Sequence, residues 1–438
     1  MEIRDPIHGT LELADSDVPV IDSAAYQRLR AIKQLGFSEF SFPGATHNRY
    51  LHSIGVYHLA GKAFESVFKG FGFKSDAKRK TIKQCLRLAA LLHDIGHGPL
   101  SHASEEVMPP LATLKIRAYE NLRTDIPLTD RSIDKNRKAD HEDYTIKFLT
   151  DSSLTPILAK ACEGFTPLHV ACLIDKSLQV PDDFFVDQGL DLRPVLSQLV
   201  SSEMDCDRMD YLERDAYFCG TNYGKVELSW LLSNLTYHVV KNKAYLALNR
   251  RALYSFDDFL LARHHMHLMV YFHHKAIIFE ELMTKYLTSV DCDFRLPSEI
   301  EDYIGCTDYA LYQHMSKAKN EWAQRISKRQ PYKMVFELHS TGPSDRMERM
   351  QQILEDNKIL VIAASSSARL SKYHATSLEE REFPIYVVDQ YDLLAEPYPI
   401  EMTTEIFQKY EEIRRIERIY VDPTMAEKAK SLIIKNKL

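Results

Sequence analysis

The sequence predicts a mainly α-helical fold: an all-helical body with one short β-hairpin over residues 1–290, then a smaller α+β lobe over 291–438. Three observations carry this. Apolar residues recur at helical spacing through most of the chain before residue 290. The run 234–249 alternates in β fashion about Lys241-Asn242-Lys243, a turn signal between two strands. Beyond 290 the texture changes: MVFEL (334–338), KILVIAA (358–364), PIYVV (384–388) and RIYV (418–421) read as strands between helical segments such as SDRMERMQQILED.

Taken in order, residues 1–20 read as irregular, with turn residues in DPIHG and at Pro19. Asp22 or Ser23 then caps a helix expected through about Leu35. GFSEFSFPGATHNRY is a loop by its Gly and Pro content, and a helix from about Tyr50 to Phe68 follows, with Arg49 and His52 on one side of its start. From about Arg79 a further helix buries Ile82, Cys85, Leu86, Ala89 and Leu92. Gly96, Gly98 and Pro99 stop it. That end is unusual, because His93, Asp94, His97 and His102 gather where a core helix opens into a turn, and buried ionisable groups need partners or a metal. Residues 105–140 read as a long polar connection. Helical patterns resume at His141, 154–163, 168–178 and 194–204, and a long helix is expected from about Ser255 to Leu287.

With 438 residues the chain can bury a real core, and 45% hydrophobic with 27% charged residues describes an ordinary globular protein. No apolar run approaches the roughly 18 residues of a membrane span, and MEIRDPIHGT lacks the regions of a signal peptide, so a cytoplasmic location is expected. The net charge of −7 argues against a broad nucleic-acid surface but leaves room for a local basic pocket. Seven cysteines without a CxxC pair read as reduced thiols, neither zinc ligands nor a disulfide framework.

His52, His93, Asp94 and Asp207 can form one metal site. Two imidazoles and two carboxylates suit a mid-row or hard divalent cation with open water positions, and not a closed structural zinc site, which prefers thiolates. The run RHHMHLMVYFHH, with His264 and His267 one turn apart, reads as pocket wall and helix surface, since no carboxylate completes a site there.

Long strings around these residues carry a resemblance: DPIHG (5–9), QRLRAIKQLG (27–36), FPGATHNRYLHSIGV (42–56), HDIGHGPLSH (93–102) and DRMDYLERD (207–215). The chain resembles the HD superfamily of metal-dependent phosphohydrolases, with its H…HD…D pattern, and within it the deoxynucleoside triphosphate triphosphohydrolase branch. Some animal members of that branch join a sterile-alpha-motif domain to the HD body; with the resemblance starting at DPIHG, no such domain is expected here. The resemblance implies that His52, His93, Asp94 and Asp207 hold one divalent ion (Mg, Mn, Fe, Co, Ni or Zn), with the remaining histidines able to hold a second. It places His97, His102, His141, Arg49 and Arg208 against substrate phosphates, with Arg208 standing where the animal enzyme has Lys. His102, supported by Glu105, is then the general acid. It further implies that Gln34, Leu35, Tyr211 and Asp215 read a deoxyribose, and that Arg263 and Tyr271 contact phosphate and base. Phe272 replaces a glutamine beside the base. Asp22, Gln27 and Arg30 match an allosteric guanine-nucleotide site at a subunit junction, although Met1 falls where a lysine is expected.

The expected activity is therefore hydrolysis of a dNTP to deoxynucleoside and tripolyphosphate in a homo-oligomer (dimer or tetramer), with GTP or dNTP as activator and no membrane partner. Two competing readings keep the same residues. One is a phosphodiesterase acting on cyclic nucleotides or single-stranded nucleic acid; the other is a nucleotide-sensing assembly protein without turnover.

Overall fold

The computed structural model describes residues 1–126, 134–340, 345–368, 383–392, 394–403 and 414–436. Residues 127–133 of the expected 105–140 connection lie outside them. The described part of that connection holds short helical turns at Leu111–Leu114 and Arg117–Glu120.

The N-terminus is not irregular. β1 (Glu2–Asp5) pairs antiparallel with β2 (Gly9–Glu12), and Gly9 takes a left-handed φ of +77° where the turn demands it. Ser23 caps α1 (Ala24–Gln27), its hydroxyl accepting the Tyr26 N–H. The helix expected through Leu35 stops early. A 3-10 turn (Arg28–Ala31) follows, Ile32 is extended, and Lys33 bridges Asn48. Tertiary hydrogen bonds take the backbone there: the Lys33 N–H goes to the Asp308 carboxylate at 2.9 Å, and the Arg28 guanidinium reaches the carbonyls of Ile95 and His97.

Three helices frame the site. α2 (Arg49–Val67) is capped by Asn48, which accepts the Leu51 N–H, and it is buried on most sides. α3 (Asp76–Leu92), capped by Ser75, buries Ile82, Cys85, Leu86, Ala89 and Leu92 and ends at His93. α4 (His141–Thr150) starts with a reciprocal cap between Asp140 and Asp143. α5 (Leu154–Ala161), α6 (Pro167–Ile174) and α7 (Arg193–Val200) complete the middle of the body. α8 (Cys206–Cys219) is capped by Asp205 and stopped by Gly220 at φ +67°. α2 packs against both α3 and α8, so three distant parts of the sequence converge.

The helix expected over 255–287 is divided. α9 (Leu253–Met266) runs into a π-helical turn, His267–Tyr271, and α10 (His274–Leu287) restarts behind His273. Such a bulge inserts an extra residue and re-aims side chains. Here it brings the Tyr271 hydroxyl to Asp215, 2.8 Å from Oδ2.

β3 (Val186–Asp187) and β4 (Leu190–Asp191) form a small antiparallel pair beside the expected hairpin, β5 (Leu235–Val240) and β6 (Lys243–Asn249). Lys241 and Asn242 lie at φ +49° and +60°, as a two-residue hairpin turn requires. β7 (Lys333–Ser340) and β8 (Val361–Ala368) flank the last strand of the C-terminal sheet, and β9 (Tyr386–Val388) pairs in parallel with β6, with β10 (Tyr398–Pro399) outside it. β11 (Arg414–Val421) lies antiparallel between β7 and β8. α11 (Asp308–Lys317) packs in the main core, which extends from Leu11 to Tyr420. A second, small core of Met347, Met350, Leu354, Ile359, Ile419, Val421, Ala426 and Ala429 joins that sheet to α12 (Arg346–Asp356) and α13 (Ala426–Lys435). All seven cysteines are free. Among the described residues no helix is long and apolar enough to cross a membrane.

Candidate active site

Arg49 opens α2, so His52 sits one turn in, fully buried. His93 caps the end of α3 with Asp94 after it, and Asp207 lies in the first turn of α8. The fold brings these four together. His52 Nε2 is 2.9 Å from Asp207 Oδ1 and 3.6 Å from Asp94 Oδ2. His93 Nε2 is 3.3 Å from Asp94 Oδ1 and 3.6 Å from Asp207 Oδ1.

The outer nitrogens fix the tautomers. His52 Nδ1 donates to Asp210 Oδ2 at 2.7 Å, and His93 Nδ1 donates to the Ala90 carbonyl at 2.8 Å. Both Nε2 atoms therefore turn lone pairs inward, and neither has an aligned hydrogen-bond partner among the described residues. Two buried imidazole lone pairs facing two carboxylates suit a mid-row divalent cation. Without one, a proton competes for the place: burial alone would lower His52, but Asp207 and Asp210 raise it to about 10. Burial opposes ionisation of Asp94, yet the Arg49 guanidinium and then His93 hold it well below the carboxylate range.

A second cluster adjoins the first. His97 Nε2 lies 3.4 Å from Asp94 Oδ1, and the His97 and His141 rings stack at 3.8 Å. Glu105 Oε1 accepts from His102 Nδ1 at 3.0 Å and from His141 Nδ1 at 2.7 Å. Those two bonds outweigh burial and pull Glu105 down to about 2. The approach of α4 depends on Gly96: a Cβ there would stand 2.0 Å from the His141 carbonyl. Arg49 also donates to the Ser101 hydroxyl at 2.9 Å, tying the cluster to the start of α2.

From the candidate metal cluster outward, Asp207, Tyr211 and Asp215 repeat every four residues along one face of α8. Tyr211 and Tyr271 meet edge to face at 6.2 Å. Asp215 accepts from Tyr271 and, through Oδ1, from His47 Nε2 at 2.8 Å. Leu35 packs partly buried against the core, and the side-chain Oε1 of Gln34 is buried with no hydrogen-bond partner among the described residues. Arg208 pairs with Asp205, and Arg263 reaches Glu203 Oε2 at 2.7 Å. The remaining trio lies elsewhere, on the N-terminal segment: Gln27 Nε2 donates to the Ile21 carbonyl, Arg30 donates to Gln27 and covers the Tyr50 ring at 3.6 Å, and Asp22 ends the preceding helical turn.

Three residues with evident roles here were not singled out by the sequence: His47, Asp210 and Arg28. His47 lies inside THNRY, and Asp210 stands among the four acids of α8, so motif membership was the available signal. Nothing in the spacing of Arg28 indicates that it clamps the carbonyls of Ile95 and His97.

The HD domain profile matches residues 49–215, from the first residue of α2 to Asp215. The chain carries an HD domain. A profile for the HD-associated region matches residues 231–382. The chain thus joins an HD domain to an HD-associated region, and the paired histidine–aspartate cluster is consistent with the divalent metal that an HD domain implies. The chain is 28% identical to the uncharacterized protein YwfO of Bacillus subtilis, over 88% of this chain and 84% of that one. It is 26% identical to the deoxynucleoside triphosphate triphosphohydrolase SAMHD1 of Homo sapiens, over 78% of this chain, but spans only 55% of that protein. Several other curated relatives are likewise covered over little more than half their length, among them an uncharacterized Mycoplasma pneumoniae protein at 31% identity and 55% coverage. Among solved structures, a hypothetical protein from Aquifex aeolicus superposes with a TM-score of 0.74 at 25% identity, covering 99% of both chains. A phosphohydrolase from Bacteroides thetaiotaomicron shares the fold with a TM-score of 0.67 at 20% identity, over 96% of this chain and 99% of that one.

Proposed function

We propose that this HD protein is a dNTP triphosphohydrolase, releasing a deoxynucleoside and intact tripolyphosphate. The observation that carries the reading is the face of α8. Asp207, in the metal cluster, is followed one turn on by Tyr211 and two turns on by Asp215, about 12 Å away at 1.5 Å per residue. That span accommodates a sugar between a reacting phosphate and its base. Asp215 accepts a sugar 3′-hydroxyl, and the Tyr211 ring crowds the 2′ carbon against a ribose hydroxyl. The likeness to the human deoxynucleoside triphosphate triphosphohydrolase supports the same substrate class.

His52, His93, Asp94 and Asp207 hold the divalent ion, which supplies Lewis acidity and an activated water when bound. The surrounding residues handle protons and charge. His102, fixed through Nδ1 by Glu105, presents Nε2 to protonate the leaving oxygen. His97 lies in the wall as a neutral ring, lowered well below its ordinary range by burial and by Arg49. His141, raised by Glu105 against the effect of burial, offers a cation to phosphate. Arg49, Arg208 and Arg263 add guanidinium donors, with Arg208 and Arg263 exchanging an acidic partner for phosphate. Asp22, Gln27 and Arg30 form the activator site for GTP or dNTP in a homo-oligomer.

One observation favours a second reading. His97, His102, Glu105 and His141 offer ligand atoms within 4.8 Å of one another, room for a second cation and phosphodiester hydrolysis. Anion-exchange analysis of products from the four dNTPs and oligonucleotides separates the two. Tripolyphosphate from dNTPs is expected; orthophosphate, a nucleoside monophosphate, or cleavage of oligonucleotides alone contradicts the proposal.

A further inference from the structure

The DPIHG turn at the N-terminus is far from α8 in sequence, yet it reaches the back of the metal cluster. Asp210 is fully buried behind His52. One oxygen, Oδ2, accepts from His52 Nδ1 at 2.7 Å and from Arg214 Nε at 2.7 Å. The other, Oδ1, accepts from Arg214 at 2.9 Å and from His8 Nε2 at 2.7 Å. Arg214, itself fully buried, spends its remaining arm on Asp5 Oδ2 at 2.8 Å. Asp5 in turn accepts the backbone N–H groups of Ile7 and His8, which fixes the turn that presents His8. α2 leaves space for this through Gly55, where a Cβ would stand 1.9 Å from Asp210 Oδ1.

We propose that the N-terminal hairpin is an arm of the metal centre: Asp5 and His8 act with Arg214 as positioning residues that lock the Asp210 carboxylate against His52. The network has a chemical consequence as well as a steric one. The Asp210 carboxylate held against Nδ1 strengthens Nε2 as an electron-pair donor to a divalent ion. All four act through His52, and none is assigned a contact with substrate. The inference rests on the metal-centre reading of His52, and it adds a role for a segment that lies outside the matched HD domain.

The test uses the full chain, stripped by chelation and titrated with Co2+, whose visible spectrum reports ligand geometry. Asp210→Asn is expected to weaken Co2+ binding 10- to 100-fold. His8→Ala is expected to weaken it several-fold and to alter the spectrum, at a temperature where both variants remain folded by circular dichroism. His8→Gln, which can still donate to Asp210 Oδ1, is expected to recover most of the affinity, a rescue that general loosening of the fold would not produce. If Asp210→Asn does not fold, the His8 pair decides alone. Wild-type affinity and spectrum in His8→Ala, with the wild-type chain binding Co2+ normally, would overturn the proposal while leaving the metal centre intact. Failure of the wild-type chain itself to bind Co2+ would remove the metal-centre reading and the proposal together.

Discussion

Asp308 accepts the Leu100 N–H at 2.7 Å through one carboxylate oxygen and the Lys33 N–H at 2.9 Å through the other. This single buried side chain, at the start of α11 in the HD-associated region, therefore fastens the loop that leads to His102 and the loop that carries Gln34 and Leu35. Leu100 and Ser101 both lie in the left-handed region, at φ +55° and +58°, so the loop is held in a conformation non-glycine residues resist. Tyr303 assists by donating to the Gly96 carbonyl at 2.8 Å, and Arg28 bridges the carbonyls of His97 and Cys306.

Removing that clamp strands the buried Leu100 N–H and the part-buried Lys33 N–H, at up to about 1–3 kcal/mol each. Asp308→Ala is expected to lower stability in urea unfolding by about 2–5 kcal/mol and to reduce turnover by misplacing His102. Asp308→Asn keeps one good acceptor and loses less. Equal activity in all three proteins would show that the loop holds its shape unaided.

Glu105→Gln tests the proposed proton-handling cluster separately from the proposed metal. A neutral amide accepts weakly from His102 and His141, so kcat is expected to fall 10-fold or more while metal content stays at the wild-type level. Loss of metal in this variant would place Glu105 among the ligands instead.

In the proposed substrate pose, Tyr211→Ala opens the wall beside the 2′ carbon. The ratio of kcat/KM for a dNTP over the matching NTP is expected to drop about 10-fold or more, mainly through faster ribonucleotide hydrolysis. An unchanged ratio would leave Tyr211 as packing.

Acid lability follows from His267, which burial and then Arg263 lower from 6.5 to about 4. Between those values the unfolded chain binds a proton that the folded chain refuses. Stability conferred by the neutral ring is whole above pH 6.5 and drains away as the pH falls toward 4. At about 1.4 kcal/mol per pH unit, the loss approaches about 3 kcal/mol. His267→Gln is expected to flatten the unfolding free energy across that window; an unaltered slope would assign the lability to other histidines.

The convergence of the candidate metal set was legible because the sequence keeps these residues at element starts and ends. His52 follows an Asn cap, His93 follows an apolar helix face, and Asp207 follows an Asp cap. The expected hairpin at 241–242 and the late strands were legible from alternation and turn residues. What could not be read was bonding over long separations. The helix expected to Leu35 yields to Asp308 and Arg28, residues paired with partners tens to hundreds of positions away. The division between α9 and α10 carries no Gly or Pro, since a π turn is stabilised by contacts such as Tyr271 with Asp215, not by a local breaker. The hairpin at residues 2–12 is too short for periodicity, and its reason for being emerges only from Asp5 and His8 beside Arg214 and Asp210.

Residues from α2, the end of α3 and α8 are proposed to meet at one cation. The most direct measurement is metal content by plasma emission after equilibration with Mn2+ and gel filtration, comparing wild type with Asp207→Ala. About one ion per chain in the wild type, falling to a small fraction in Asp207→Ala with its fold intact, is the predicted result. Equal metal content in the two, or none in either, would contradict it.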